Sequence, residues 1–438
     1  MSDAYSQWQA RSCAAVWHPC TQMKQHERMP PVPIARAEGA WLYDHRGARY
    51  LDAISSWWVN LFGHANPRIN AALTAQLDDF AHVMLAGFTH APVIELSERL
   101  AALAPPGLGH AFYGSDGASA TEIALKMSFH YWLAQGAHDK TRYVRLAGGY
   151  HGETIGALGV TDVALFRAPY GPLLRSHPVL PSPAVRDPGD QRSPEHAIDD
   201  ALGALDAYLR SDGATTAALI VEPLVQGASG MAMYDARYLR SARELTRSHD
   251  VHLIADEIMT GFGRTGTMFA CEQADITPDL LCLSKGITGG YLPLSCVLTT
   301  DPVFNAFYDD DVTRGFLHSH SYTGNALACR AALAVLDIFR DDDVIVSNRA
   351  MASRWRNIVA PLAAHARVRN LRQCGMIIAF DVESDRRGFA AWFNERAASA
   401  ELLLRPIGNT VYFMPPYVTT DDEFALLVER TQAIVDDC

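Results

Sequence analysis

Short apolar runs alternate with segments of helical periodicity between about residue 66 and residue 300. Such runs, bounded by polar or turn residues, are typical of buried parallel strands, whereas apolar residues three and four apart indicate helices. The pattern predicts strands over 110–113, 141–146, 217–221, 252–256, 279–284 and 294–298. It predicts helices over 67–77, 92–104, 196–210, 236–248 and 325–340, and one more helix that begins at the turn 114–119 and ends at residue 132. This alternation predicts an α/β fold whose large, mostly parallel sheet carries helices on both faces.

The pattern changes on either side of this region. Residues 1–38 lack periodicity and contain three closely spaced prolines, which predicts irregular structure, and residues 40–52 have the pattern of a β-hairpin. Residues 171–195 are rich in proline and glycine, which predicts a long loop. Beyond about residue 335 a smaller α+β domain is predicted, with strands over 366–371 and 376–382 and helices over 388–399 and after 421. The predicted organisation is an N-terminal segment, 1–65, that contributes to the small domain and the active site, a large domain, 66–334, and a small domain, 335–438.

Two of the predicted strands end on charged residues that a buried strand should not carry. Asp256 ends one strand, and Lys285 follows the next. Lysine and aspartate are rarely buried without a partner, and the carboxyl ends of strands in open α/β sheets are where ligands bind. Pyridoxal phosphate requires this pair, because it bonds to a lysine amine and needs a carboxylate at its pyridine nitrogen. From these two residues alone, ordinary surface loops explain the pattern equally well.

Other segments offer further candidates, each with a plainer alternative. The turn at 114–119 precedes a helix, whose free N–H groups favour a phosphate, although Ser115 or Asp116 could simply cap that helix. Tyr150 stands beside glycines after a strand, where a ring can cover a planar ligand. Arg405 lies in the predicted small domain and could clamp a carboxylate or form a surface salt bridge. The adjacent Trp57 and Trp58 could line a pocket, but core packing is the default interpretation.

The composition of the chain limits the classes of partner that it is expected to bind. The net charge of −12 disfavours nonspecific binding to nucleic acid or to an anionic membrane. The eight cysteines include no Cys-x-x-Cys pair and fit a reducing cytoplasm, and no apolar run approaches a signal sequence or a membrane span. His318 and His320 have no carboxylate or cysteine at ligand spacing, so no metal site is expected.

One long motif resembles a known family. The sequence from Asp256 to Gly266, Asp-Glu-Ile-Met-Thr-Gly-Phe-Gly-Arg-Thr-Gly, followed by Ser-Lys-Gly at 284–286, resembles the signature of the class III aminotransferases, which are pyridoxal-phosphate-dependent enzymes of fold type I. Within that family the chain looks closest to the branch of biotin biosynthesis. The stretches that carry this second resemblance include Ile-Ser-Ser-Trp-Trp at 54–58, Glu-Pro-Leu-Val-Gln-Gly at 222–227 and Tyr-Phe-Met-Pro-Pro-Tyr at 412–417.

The resemblance implies a role for each candidate residue. Lys285 would hold the cofactor covalently, Asp256 would pair with its pyridine nitrogen, and Tyr150 would stack on its ring. The remaining cofactor contacts would come from Glu222, from the N–H groups of Gly117 and Ala118, and from Ser321 of a neighbouring subunit, which implies a homodimer with shared sites. The substrate pocket would be formed by Trp57, Trp58, Arg264, Arg405, Tyr412 and Gly324, with Arg405 as the carboxylate clamp.

Two positions depart from the family pattern. Cys20 stands where relatives commonly have a tyrosine, which affects how the amino donor is recognised. Asp116-Gly-Ala replaces Ser-Gly-Ser in the phosphate turn, where backbone groups can still bind the anion.

The implied reaction is a ping-pong transamination of small molecules. Its donor would be S-adenosylmethionine, and 8-amino-7-oxononanoate would be converted to 7,8-diaminononanoate. The alternative is another class III ω-aminotransferase that uses lysine, ornithine, a β-amino acid or a diamine. A non-catalytic protein with this fold would be expected to lack Lys285 or Asp256, and an NAD-dependent enzyme would need a Gly-x-Gly-x-x-Gly turn, which is absent after the first parallel strand.

Overall fold

The computed structural model describes residues 4–185 and 189–438. Its strands are β1 (Ile34–Glu38), β2 (Trp41–Asp44), β3 (Arg49–Asp52), β4 (His110–Gly114), β5 (Arg142–Leu146), β6 (Val179–Leu180), β7 (Thr216–Val221), β8 (Val225–Gln226), β9 (Ala232–Met233), β10 (His252–Asp256), β11 (Leu280–Leu283), β12 (Ser295–Thr299), β13 (Val368–Cys374), β14 (Ile377–Val382), β15 (Leu402–Leu403) and β16 (Thr410–Phe413). Its longer helices are Ala4–Ala15, Pro67–Asp79, Ala91–Leu103, Gly117–Ala134, Pro194–Asp212, Ala236–Ser248, Ala326–Asp341, Val344–Ile358, Phe389–Ser399 and Asp421–Asp436, and its shorter ones are Ile155–Val160, Ala164–Arg167, Asp301–Asn305 and Ala360–Ala363.

A seven-stranded sheet with the order β4-β12-β11-β10-β7-β5-β6 forms the centre of the molecule. Its neighbours pair in parallel, except that β12 runs antiparallel to both β11 and β4. Every residue of β7 and β10 is buried, as expected for strands covered by helices on both faces. The predicted α/β fold with a large, mostly parallel sheet is therefore confirmed.

The direction of these strands determines where the site lies. Because β12 is antiparallel to both of its neighbours, β4 points in the same direction as β5, β7, β10 and β11. The segments that follow these five strands therefore meet at one edge of the sheet. They carry the turn at 114–119, Tyr150, Glu222, Asp256 and Lys285.

The N-terminal region is more ordered than its sequence predicts. The prediction of irregular structure over residues 1–38 is wrong for residues 4–15 and 34–38, which form helix Ala4–Ala15 and strand β1, whereas residues 16–33 contain only a short 3-10 helix, Met23–Glu27. No residue of helix Ala4–Ala15 is buried, so it has no apolar stripe from which a helix could be predicted. The predicted hairpin corresponds to β2 and β3. Residues 1–3 lie outside the described residues.

The N-terminal strands form a sheet with a short strand of the C-terminal region. β15 pairs in parallel with β3, and the sheet order is β1-β2-β3-β15. A separate three-stranded sheet, β13-β14-β16, completes the C-terminal region. The division into three parts at residues 65 and 334 stays a prediction.

The predicted loop at 171–195 contains short ordered pieces. β6 pairs with β5 at the sheet edge, and helix Pro194–Asp212 begins at the end of this stretch, capped by Ser193. Residues 186–188, within the predicted loop, lie outside the described residues. In the part of the chain that is described, no helix is both long enough and apolar enough to cross a membrane.

The hairpin between β13 and β14 packs tightly against the loop that contains Arg264. The N–H of Met376 donates to the Arg264 carbonyl at 2.9 Å. A Cβ at Gly375 would lie 2.4 Å from the carbonyl carbon of Thr265, and Gly375 has a φ of +54°. Only glycine fits this contact, because a side chain would meet both backbone strain and a backbone clash.

We expect Gly375→Ala to destabilise the protein more than Gly408→Ala does. Gly408 also has a positive φ, +60°, but no atom lies within 4 Å of its ideal Cβ. The control therefore carries only the left-handed backbone cost of about 1–2 kcal/mol, whereas Gly375→Ala adds an overpacking cost of about 1–3 kcal/mol. Thermal and urea unfolding of both variants measure the difference, and equal shifts would contradict the predicted contact.

Candidate active site

Lys285 begins a 3-10 turn, Lys285–Thr288, directly after β11 and Ser284. Its φ is +46°, and its Nζ lies 4.9 Å from the centre of the Trp58 ring. Burial lowers the pKa of the Lys285 amine, and the negative charges of Asp256 and Glu222 partly oppose that shift. A lowered pKa increases the neutral fraction of the amine, which is the form that reacts as a nucleophile or a base.

Asp256 is held by two hydrogen bonds at the end of β10. His151 Nδ1 donates to Asp256 Oδ2 at 2.7 Å, and the Ile258 N–H donates to Asp256 Oδ1 at 3.1 Å. Both side chains of the Asp256–His151 pair are almost fully buried. Thr161 Oγ1 accepts from the His151 N–H at 3.0 Å, and Thr121 Oγ1 donates to the His151 carbonyl at 2.8 Å. These hydrogen bonds therefore fix the position of the carboxylate at the end of β10.

Glu222 connects the segments that follow β5 and β7. Its Oε1 accepts from the Tyr150 N–H at 2.9 Å, and its Oε2 accepts from the Gly227 N–H at 2.8 Å. Burial raises the pKa of Glu222 to about 7, and the two N–H groups act in the opposite direction. Both oxygens are engaged by backbone, so Glu222 fixes the position of Tyr150 within the site.

The Tyr150 side chain is anchored by its own hydroxyl, which donates to Glu153 Oε1 at 2.9 Å. Burial, followed by the charge of Glu153, raises the pKa of Tyr150. The phenol therefore stays neutral in the physiological range. Its ring is partly exposed and lies edge to face with Phe166.

The predicted phosphate turn lies against these segments. Asp116 caps helix Gly117–Ala134 by accepting the Ser119 N–H at 2.9 Å, and the described residues leave the N–H groups of Gly117 and Ala118 unengaged. A Cβ at Gly117 would lie 2.9 Å from Ile258 Cγ2, and one at Gly152 would lie 2.7 Å from Ala118 Cβ. The helix end is thus packed against the segments that follow Asp256 and Tyr150.

Trp57 and Trp58 point to different ends of the site. Trp58 is 7% exposed and lies beside Lys285, and its Nε1 donates to the Tyr412 hydroxyl at 3.1 Å. Trp57 is 42% exposed, and the Arg405 guanidinium lies 4.9 Å from the centre of its ring. Arg405 also donates to the Cys20 carbonyl. The structure therefore links Lys285 to Arg405 through two neighbouring indole rings.

Arg264 does not lie at the surface of this pocket, which corrects the position predicted for it. Its side chain is 1% exposed, and its guanidinium donates to the carbonyls of Pro415 at 2.9 Å and Asn60 at 3.0 Å. It also lies 4.9 Å from the Tyr417 ring. Arg264 therefore supports two segments that surround the pocket, and a buried cation with these partners is not available to substrate.

Within one chain, Ser321 and Gly324 contact a different region. Ser321 is exposed, and its carbonyl accepts from His82 Nε2 at 2.7 Å. Gly324 is buried with a φ of +58°, and its carbonyl accepts from His90 Nε2 at 2.9 Å. A Cβ at Gly324 would lie 2.7 Å from Leu85 Cδ1. Neither residue contacts the Lys285 group in the described chain.

The contact of His151 with Asp256 was not identified from the sequence. The only sequence signal for His151 was its place next to Tyr150, since a hydrogen bond to Asp256, 105 positions later, depends on the sheet order. Glu153 has no distinctive signal either, because it lies on an ordinary polar stretch.

The arrangement fits pyridoxal phosphate. It offers a buried amine, a fixed buried carboxylate, unengaged N–H groups at a helix end, and an aromatic ring with an exposed face. The close contacts at Gly117 and Gly152 show why small residues occupy the turn where a phosphate would approach the backbone.

Comparison with known proteins agrees with this chemistry. Residues 22–435 match the family model "Aminotransferase class-III". An adenosylmethionine-8-amino-7-oxononanoate aminotransferase of Helicobacter pylori is 45% identical over 96% of this chain and 96% of its own length.

Solved structures extend the similarity to the whole fold. The enzyme of the same name from Methanocaldococcus jannaschii has a TM-score of 0.92 and 32% identity, and the match covers 99% of each chain. An amine transaminase from an uncultivated Pseudomonas species, in its PLP-bound form, has a TM-score of 0.90 and 34% identity over 97% of this chain and 99% of that one. The chain belongs to the class III aminotransferase family, whose members depend on pyridoxal phosphate.

Proposed function

We propose that this chain transfers an amino group from S-adenosylmethionine to 8-amino-7-oxononanoate. The observation that carries the proposal is the 45% identity, over 96% of both chains, to an enzyme named for that reaction. The fold alone does not select the substrates, because an amine transaminase superposes almost as well. The geometry adds a guanidinium, Arg405, at the far end of an aromatic wall that starts at Lys285.

When bound, pyridoxal phosphate supplies an electron-withdrawing ring that accepts the electron pair from the reacting carbon. In the proposed site Lys285 would hold this group. Asp256 would pair with the ring nitrogen and keep it protonated, and His151 would keep the carboxylate in place. The N–H groups of Gly117 and Ala118 would receive the phosphate, and Tyr150 would cover one face of the ring.

Lys285 is also the proposed proton carrier. Burial favours the neutral form of its amine. In its neutral form the Lys285 amine could accept the proton that leaves the substrate carbon, hold it on Nζ and release it later in the same half-reaction. Asp256 and Glu222 would then stabilise the transient ammonium, since their negative charges raise the pKa of Lys285.

Arg405 would bind the carboxylate of the oxononanoate substrate. A planar guanidinium can donate two parallel hydrogen bonds to a carboxylate, and its hydrogen bond to the Cys20 carbonyl restricts its orientation. Trp57 and Trp58 would line the path of the aliphatic chain, with Tyr412 fixed behind Trp58. A mainly apolar wall suits a pocket that must accept two unlike substrates in turn.

The proposed working unit is a homodimer. Several large apolar side chains near Ser321 are exposed in the single chain, namely Met84, Phe88, Leu317 and Tyr322. Exposed apolar patches mark interaction surfaces, and a second copy covering this one would bring its Ser321 toward the partner's phosphate site. A cytoplasmic location is also proposed, supported by the eight free thiols of the chain.

Lys285→Ala should abolish transamination. Loss of the amine removes both the covalent attachment and the proton carrier, so turnover should fall by at least roughly 10³-fold. The absorbance band of the lysine-bound cofactor should also disappear. Lys24→Ala is the matched control because its side chain is exposed, and it should keep both signals. Full activity in Lys285→Ala would refute the assignment.

Half-reactions with single donors should identify the amino donor. Addition of S-adenosylmethionine to the holoenzyme should bleach the absorbance of the lysine-bound cofactor, whereas lysine and ornithine should leave it unchanged. The same spectra recorded with 7,8-diaminononanoate test the second substrate pair in reverse. Bleaching by lysine or ornithine, but not by S-adenosylmethionine, would favour the alternative ω-aminotransferase.

Phe88→Arg should weaken the dimer. Phe88 is 66% exposed in the single chain, and a buried cation at an apolar interface is unfavourable. Sedimentation velocity should show a shift to monomer, with activity falling in parallel. Val346→Arg is the control, because Val346 is also exposed, at 57%, but lies on helix Val344–Ile358. An unchanged dimer in Phe88→Arg would rule out this surface.

A further inference from the structure

The two tryptophans lie on a backbone turn of unusual handedness. Ser55, Ser56, Trp57 and Trp58 have φ values of +53°, +45°, +73° and +74°. The Trp58 N–H donates to the Ile54 carbonyl at 2.8 Å, and the Val59 N–H donates to the Ser55 carbonyl at 3.0 Å. These are the hydrogen bonds of one helical turn, formed here with left-handed backbone. Each of the four residues carries a Cβ, which disfavours this conformation.

The Asp52 carboxylate anchors the turn by hydrogen bonds to Ser56. The Asp52 side chain is fully buried, and it accepts the Ser56 N–H at 2.8 Å and the Ser56 Oγ–H at 2.7 Å. His64 Nε2 donates to the same carboxylate at 3.0 Å. A second anchor is the Ser55 hydroxyl, which donates to the Met414 carbonyl at 2.7 Å. Strained backbone persists only where surrounding contacts determine it, and these contacts converge on Ser55 and Ser56.

The handedness of the turn decides what each tryptophan faces. Successive side chains on a helical turn are rotated by about 100°, and the sense of rotation reverses with the hand of the turn. In this turn Trp58 faces Lys285 and Tyr412, whereas Trp57 faces Arg405. A relaxed or right-handed turn would rotate Trp57 away from Arg405 while the neighbouring segments stayed in place.

We propose that Asp52 is a positioning residue that determines substrate specificity through this turn. By keeping Ser56 left-handed, it places the Trp57 ring beneath the Arg405 guanidinium and so fixes the distance between the carboxylate clamp and the reacting amine. The inference rests on the proposed function for the identity of the carboxylate substrate. Asp52 itself touches neither substrate nor cofactor, because Ser56 and His64 occupy its oxygens.

The central test compares Asp52→Ala with a matched buried aspartate. Asp44 is 5% exposed and accepts the N–H groups of Arg46 and Ala48 in the hairpin turn, at 2.8 and 2.9 Å, without contact to either tryptophan. Asp52→Ala should raise KM for the carboxylate-bearing acceptor about tenfold, as expected for loss of charge-assisted hydrogen bonds, with kcat changed less than about threefold. Asp44→Ala should lower the melting temperature but leave both constants unchanged.

A rescue variant separates positioning from general stability. Glycine adopts positive φ without steric cost, so Ser56→Gly in the Asp52→Ala background should restore KM to within about threefold of the wild type. Ser56→Ala, which retains the backbone hydrogen bond but not the hydroxyl, should give about a threefold rise in KM. This single change also provides the test if Asp52→Ala does not fold.

A readout without substrate separates this inference from the proposed function. The near-ultraviolet circular dichroism of the holoenzyme should change in the tryptophan region for Asp52→Ala and return in the double variant, while the cofactor absorbance stays constant. If another amine or keto acid proves to be the substrate, its KM replaces that of the oxononanoate in the same comparison. An unchanged KM in Asp52→Ala, a fall in kcat alone, or no rescue by Ser56→Gly would overturn the proposal.

Discussion

The hydrogen bond between His151 and Asp256 is the contact on which the site depends. It joins the segment that follows β5 to the end of β10, two strands apart in the sheet. Burial of a carboxylate is unfavourable unless its oxygens have hydrogen-bond partners. Asp256 has a hydrogen bond on each oxygen. The sheet order therefore brings a donor to this carboxylate, and the two hydrogen bonds satisfy a buried polar group.

Lys285 and Arg405 are supported by different parts of the structure. Around Lys285, the supporting groups come from strand ends, namely Asp256 and Glu222, and from Trp58 of the N-terminal segment. Around Arg405, they come from the N-terminal segment and from the C-terminal region, which are far apart in sequence and meet in the sheet that pairs β15 with β3. Lys285 is therefore supported mainly by the central sheet, whereas Arg405 is supported by segments that are distant in sequence.

Much of the central architecture could be predicted from sequence because its signals are local. Apolar runs such as 217–221 and 280–283 mark buried strands, and the polar residues that follow them mark the edge where ligands bind. The N-terminal helix could not be predicted, since it buries no residue. The left-handed turn at 55–58 could not be predicted either, because four residues with a Cβ contradict local propensity and the anchors of the turn depend on distant residues such as His64 and Met414. The position of Arg264 was predicted wrongly for a related reason. A sequence motif shows only which residues are neighbours along the chain, whereas the Arg264 guanidinium binds the carbonyls of the distant residues Asn60 and Pro415.

Cys20 contacts Arg405 through its backbone. The Arg405 guanidinium binds the carbonyl of Cys20, and this backbone contact does not depend on the residue type. A substitution at position 20 would therefore change side-chain volume and polarity but keep this hydrogen-bond acceptor. Cys20 and Arg405 also border a cavity of ≈ 570 Å³ between the N-terminal segment and helix Phe389–Ser399. The small Cys20 side chain keeps this space open beside Arg405.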